Sequence, residues 1–100
     1  MAKGYWVAGM TVNDQTKYDA YRAINGEAFR KYGARFLVRG GTFENPLGTA
    51  HPRNVVIEFP SYEAAKACYA SPEYRKALDA RGDAIEADFI IIEGYEDTQP

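Results

Sequence analysis

The strand-like segments of this chain are apolar on both faces, and that limits what they can fold into. Side chains alternate across a strand, so each segment divides into two rows. In Asn54 to Phe59, Val55, Ile57 and Phe59 point one way while Val56 and Glu58 point the other. In Asp88 to Tyr95, Phe89 and Ile91 oppose Ile90 and Ile92, and in Arg35 to Arg39, Phe36 and Val38 oppose Leu37 and Arg39. A sheet with helices on one side only would leave its second apolar face in water, and faces of that kind mark an interface or a cleft. The chain has 100 residues, 46% of them hydrophobic and 26% charged, which fits one domain with a core at about 3–95 and a polar tail at 96–100. A second copy is the partner this predicts: a homodimer packed sheet against sheet, with Arg39 and Glu58 as polar exceptions on or near the enclosed face.

The order of elements agrees. Tyr5 to Val12 is rich in aromatic and β-branched residues and precedes the turn pair Asn13-Asp14, so it reads as a strand. Asp14 can cap a helix on which Tyr18, Tyr21, Asn25, Ala28 and Tyr32 share one face, with Gly33 as the stop. Arg35 to Arg39 is the second strand, ended by Gly40-Gly41, which permit a turn or bulge, and Thr42 to Glu44 is a candidate continuation. Pro46, Gly48 and Pro52 punctuate a loop before the third strand, Asn54 to Phe59. Ser61 then caps a short helix carrying Ala64, Ala65, Cys68 and Tyr69 inward. Ser71-Pro72-Glu73 starts another, because serine accepts first-turn amides, proline fits that turn and glutamate suits the positive end of the dipole. Tyr74, Ala77, Leu78 and Arg81 share its stripe, Gly82 closes it, and Asp88 to Tyr95 is the last strand. The predicted architecture is α+β: a ferredoxin-like βαββαβ domain with a four-stranded antiparallel sheet and a split second helical region.

Composition removes several function classes. Twelve basic and fourteen acidic residues leave a net charge of -2 with the basic residues scattered, so neither nucleic acid nor an anionic membrane is expected as partner. No apolar run approaches the roughly 20 residues of a membrane span and the first residues lack a signal-peptide core, so the expected location is the cytoplasm. The one cysteine, Cys68, has no second thiol or histidine cluster for a disulfide or a metal, and its expected role is packing. Glycine-rich phosphate loops, nucleophile elbows and metal-ligand spacings are absent, which leaves phosphoryl transfer, serine hydrolysis and metal catalysis without support.

The chemistry that remains centres on Phe36-Leu37-Val38-Arg39-Gly40-Gly41. A guanidinium stays protonated and carries five fixed donors, so Arg39 marks either an anion- or enolate-binding site or a structural ion pair, with Glu58 as the expected partner. His51, the only histidine, is the natural general-base candidate; the alternative is an idle loop side chain. Tyr18, Tyr21, Tyr69 and Tyr74 are candidates to line a pocket and offer hydroxyls to a ligand, or else to pack with one wet end. The stem of Arg81 is expected to pack while its head reaches an acid such as Asp88 or a helix terminus. The predicted ligand is a small anionic or carbonyl-bearing molecule held between sheet and helices by Arg39, Glu58 and these tyrosines. The competing class is a non-catalytic binding or interaction protein.

In order and spacing, the segments Phe36 to Gly41, Phe59-Pro60-Ser61, Ser71-Pro72-Glu73-Tyr74 and Glu93-Gly94 resemble the bacterial family called domain of unknown function 1330, with the likeness running from Tyr5 to Tyr95. The family looks like a branch of the dimeric α/β-barrel superfamily, which implies a ferredoxin-like homodimer. Relatives in that superfamily include cofactor-free monooxygenases of antibiotic biosynthesis, muconolactone isomerase-like enzymes and proteins with no established reaction. The resemblance therefore implies cofactor-free oxygenation or isomerisation as the enzymatic form, with Arg39 holding a substrate oxygen, His51 moving a proton and tyrosines shaping the cavity. Fold membership alone does not settle function. One position departs from the family: members often place an acid before the loop glycine, where this chain has Leu47 before Gly48, so a mechanism using that acid is lost here.

Overall fold

A computed structural model describes residues 2–100. Its central strand is β1 (Gly4–Val12), in which Gly4, Trp6, Ala8 and Met10 are buried in alternation with more exposed neighbours, the period of a strand packed on one face. The strand is long because it has two partners. β3 (Arg53–Phe59) pairs along one edge and β4 (Ile85–Glu93) along the other, both antiparallel, and β2 (Arg35–Arg39) adds outside β3 to give the order β2-β3-β1-β4. Four helices, α1 (Gln15–Ile24), α2 (Gly26–Lys31), α3 (Tyr62–Ala70) and α4 (Pro72–Arg81), complete the element order of an α+β ferredoxin-like domain. The smallest principal extent is only 17 Å, room for one sheet and one helical layer.

The helix ends lie where the capping residues put them. Asp14 accepts from the Lys17 amide at 3.1 Å and Ser61 from the Ala64 amide at 3.0 Å. Ser71 serves two helices at once, its Oγ donating to the Cys68 carbonyl at 2.7 Å and accepting from the Tyr74 amide at 3.1 Å. Gly82, at φ 52°, closes α4 with its amide on Leu78. Several boundaries differ from expectation. The single helix expected after Asp14 divides at Asn25, which keeps a right-handed φ of -69° and is flanked by α1 and α2. β4 begins at Ile85 rather than Asp88 because β1 is long enough to pair Val12 with it, and β3 begins at Arg53 because Met10 pairs there. Thr42 to Glu44 does not continue β2; it belongs to the exposed loop that follows.

On the helix side of the sheet the core is organised around Trp6. Its ring lies 5.0–5.9 Å from those of Phe29, Phe59, Tyr69, Tyr74 and Phe89, contributed by α2, β3, α3, α4 and β4. Its indole Nε1 donates to the Ala65 carbonyl of α3 at 2.9 Å. The other side of the sheet is uncovered. Val7, Val38, Ile90 and Ile92 are 38%, 41%, 53% and 46% exposed, so the second apolar face expected from the alternation is present.

Arg39 is not on that face. β2 carries an irregularity between Phe36 and Val38: Phe36 stands opposite Ile57, Val38 opposite Val56 and Arg39 opposite Val55. Leu37 is the extra residue, and one extra residue reverses the facing of everything after it. Arg39 therefore shares the helix side with Phe36 and Val55. The bulge lies at Leu37 rather than at Gly40-Gly41.

Trp6→Phe should lower stability by about 2 to 4 kcal/mol, combining the lost indole hydrogen bond to Ala65 with the void left by the smaller ring. Urea unfolding should show the loss as a lower midpoint with little change in slope. A shift equivalent to less than about 0.5 kcal/mol, the scale of an ordinary surface substitution, would show that the core is not organised around this ring.

Candidate functional site

Between the sheet and the helices lies a pocket of about 330 Å³, at the lower end of the ~300–1,000 Å³ usual for ligand sites. Trp6, Ala8, Met10, Val55 and Phe89 of the sheet form its apolar floor, and Tyr18, Tyr21, Phe29, Tyr69 and Tyr74 supply the aromatic wall from the helices. Its charged lining consists of four arginines, Arg22, Arg39, Arg53 and Arg81. Aspartate, glutamate, lysine and histidine are missing from that lining.

None of the four guanidiniums has a carboxylate within ion-pair distance among the described residues. The ion pairs there join Lys17 to Asp83, Lys31 to Glu73, Lys66 to Glu63 and His51 to Asp88. The arginines rest on rings instead. Arg39 lies 4.1 Å over Phe36, Arg22 and Arg53 lie 5.9 and 5.8 Å from Tyr18, and Arg81 lies 5.3 Å from Tyr21. Arg53 Nε also donates to the Tyr18 hydroxyl at 3.0 Å. Arg81 Nε is buried with no hydrogen-bond partner, a costly state for a charged group that an incoming acceptor would relieve.

Local sequence explains how each arrives there. The bulge at Leu37 turns Arg39 inward. Gly40, at φ 71°, adopts a conformation that residues with a Cβ resist, and a Cβ there would lie 2.5 Å from Arg53 Nη1. The Arg-Gly pair thus presents one guanidinium and makes room for another. Arg53 falls on the pocket side because it is two residues before Val55, and Arg22 joins Tyr18 because four residues is one helical turn.

The Tyr21 and Tyr74 hydroxyls are hydrogen-bonded at 2.6 Å. Burial, the largest cause in both, pushes both phenols above the usual tyrosine range, so they stay neutral and act as hydrogen-bonding groups rather than bases. The pocket can hold and stabilise negative charge through four permanent cations. A proton acceptor near neutrality would have to come from the bound molecule or from water.

Of the residues singled out from the sequence, the pocket gathers Arg39, Tyr18, Tyr21, Tyr69 and Tyr74. It does not gather Glu58 or His51. Glu58 faces the uncovered side, opposite Tyr5 and Arg35, and accepts from the Tyr5 hydroxyl at 3.3 Å. The expected Arg39–Glu58 ion pair is therefore not formed, because the bulge puts the sheet between the two side chains. His51 also sits on the uncovered side, Nδ1 hydrogen-bonded to Thr11 Oγ1 at 3.0 Å and Nε2 to Asp88 Oδ2 at 2.8 Å, so it is anchored rather than loose. With Asp88 on that side, Arg81 does not reach it and points into the pocket. Cys68 is fully buried, and burial pushes its thiol up to about 12, in keeping with packing.

Arg22 and Arg53 were not anticipated. The signal for Arg53 was present in the alternation of Val55, Ile57 and Phe59, which extends backwards to it once the strand is started one residue earlier.

The model for Domain of unknown function (DUF1330) matches residues 3–95. The chain belongs to this family. No curated protein matches it. Among solved structures, a protein of unknown function from Rhodopseudomonas palustris superposes with a TM-score of 0.77 at 17% identity, over 96% of this chain and 85% of that one. SnoaB, a cofactor-independent oxygenase from Streptomyces nogalater, gives 0.63 at 15% identity over 100% and 99%. A dimeric ferredoxin-like protein of unknown function from Thermobifida fusca gives 0.52 at 15% over 92% and 91%. At these identities the likeness establishes the fold that this DUF1330 member shares with them and nothing of its chemistry.

The phenols give a testable pH dependence. A group whose folded pKa is raised adds stability that is complete below its unfolded pKa, about 10 for tyrosine, and that is lost as pH rises beyond it. In an ultraviolet absorbance titration of the eight tyrosines, Tyr21 and Tyr74 should ionise last and together with alkaline unfolding. Ionisation of all eight in one step on a still-folded protein would contradict their burial.

Proposed function

We propose that this protein binds a small organic anion in the pocket between sheet and helices. The observation that carries the reading is an apolar-floored cavity of about 330 Å³ whose charged lining is entirely arginine. Four cations brought together without acids repel one another, and an anion seated among them relieves that repulsion; Arg53 and Arg81 are half-buried, while Arg22 and Arg39 are exposed at the pocket mouth. Arg39 and Arg53 bind the charged group, Tyr18, Tyr21, Tyr69 and Tyr74 shape the cavity and offer hydroxyls, and Trp6 and Phe89 take the apolar part.

A catalytic form of the same reading is cofactor-free oxygenation or isomerisation of a carbonyl-bearing anion, supported by the likeness to a cofactor-independent oxygenase. Arg39 would hold the substrate oxygen and stabilise charge developing on it. His51 would serve only chemistry on the opposite side of the sheet.

The working form is a homodimer in which two uncovered sheet faces meet through Val7, Val38, Ile90 and Ile92, as favoured by their exposure and by the dimeric ferredoxin-like neighbour. A cytoplasmic setting suits the lone buried thiol.

A thermal-shift screen of small carboxylates and phenols tests the binding reading. A ligand at 100 times its Kd should stabilise wild type by about 2.7 kcal/mol, and Arg39→Gln or Arg53→Gln should remove most of that gain while keeping the circular dichroism spectrum. No stabiliser in a broad screen would sink it. Light scattering behind size exclusion tests the assembly: wild type should run as a dimer at micromolar concentration and Ile90→Lys as a folded monomer. A monomeric wild type would exclude the sheet-face dimer.

A further inference from the structure

The arrangement of the arginines says more about the ligand than that it is an anion. Three guanidiniums gather on one stacked ring pair: Tyr18 and Tyr21 lie 5.7 Å apart, with Arg22 and Arg53 beside the first ring and Arg81 beside the second. Arg39 stands near Arg53 at the end of β2, where Gly40 leaves space for the Arg53 head. Arg53 already spends Nε on the Tyr18 hydroxyl, whereas the buried Nε of Arg81 has no acceptor. The four guanidiniums thus come from α1, α4 and two adjacent strands, and a single carboxylate would leave most of their donors unmatched. Planar guanidinium forks are suited to oxyanions with several acceptor atoms, such as paired carboxylates or a phosphate.

The remainder of the pocket is apolar and aromatic. A cavity of about 150 Å³ suffices for benzene, so 330 Å³ accommodates one ring or two together with a charged head. We infer that the ligand is a compact organic polyanion: a ring-sized apolar body bearing at least two closely spaced negative charges, as in an aryl dicarboxylate or an aryl phosphomonoester. This rests on the anion-binding reading of the same pocket and narrows it to a substrate class.

Isothermal titration calorimetry at mildly alkaline pH, where a phosphomonoester is doubly charged, separates the possibilities. The probes are benzyl alcohol, benzoate, phthalate, phenyl phosphate and inorganic phosphate. Phthalate or phenyl phosphate should bind at least about tenfold more tightly than benzoate, and whichever binds more tightly names the head group. Arg22→Gln and Arg81→Gln should each shrink that gap to about threefold or less, whereas Arg30→Gln, an exposed α2 position outside the pocket, should leave it unchanged. Benzoate binding as tightly as both dianions would overturn the polyanion inference while leaving anion binding intact. Inorganic phosphate matching phenyl phosphate would overturn the requirement for an apolar body. Equal loss in Arg30→Gln would show that the preference comes from overall charge, and binding of none of the five would remove the inference and the reading beneath it together.

Discussion

The fold depends on one aromatic ring. Trp6 sits in the middle of the central strand, and five rings from α2, α3, α4, β3 and β4 converge on it at 5.0–5.9 Å. Edge-on and tilted contacts of this kind add to the large apolar area each ring buries. The indole hydrogen bond to Ala65 ties the helical layer to the sheet at a fixed point. Rigid rings propped against one another also explain why a pocket persists beside them, since aromatic side chains have few rotamers through which to collapse into the space. The cavity floor and the core are parts of one cluster, with Trp6 belonging to both.

Much of this was legible in the sequence because it is written locally. Asp14, Ser61, Ser71 and Gly82 mark helix ends through hydrogen bonds within three or four residues, and the structure uses all four. The alternation of Ile90 and Ile92 with Phe89 and Ile91 announced two apolar faces. What failed was the facing of Arg39. Alternation assumes an unbroken strand, and nothing in Phe36-Leu37-Val38 marks the extra residue, because the bulge is defined by the pairing of β2 with β3. That pairing is a tertiary fact. The expected Glu58 partnership failed for the same reason, and with it the structural-pair reading of Arg39.

The charge of the chain hides the charge of the site. A net of -2 excludes broad electrostatic attraction to polyanions, yet the pocket collects four of the chain's cations and no acid. Asp83, Glu73 and Glu63 are instead paired with Lys17, Lys31 and Lys66, and Asp88 with His51 on the uncovered face. A lysine rim would be a weaker solution, since an ammonium is more strongly hydrated and lacks the planar fork of donors. Cation–π contacts with Tyr18, Tyr21 and Phe36 hold the arginines around the cavity without a salt bridge among the described residues.

The sheet separates two kinds of work. Residues of one parity build the pocket; residues of the other present Val7, Val38, Ile90 and Ile92 together with the Thr11–His51–Asp88 chain of hydrogen bonds. Because neighbours along a strand point to opposite sides, changes on one face alter the other only by moving the backbone. The bulge at Leu37 is the exception to this separation. Among the described residues it is where the parity of the sheet changes, and it puts Arg39 on the pocket side rather than the opposite face.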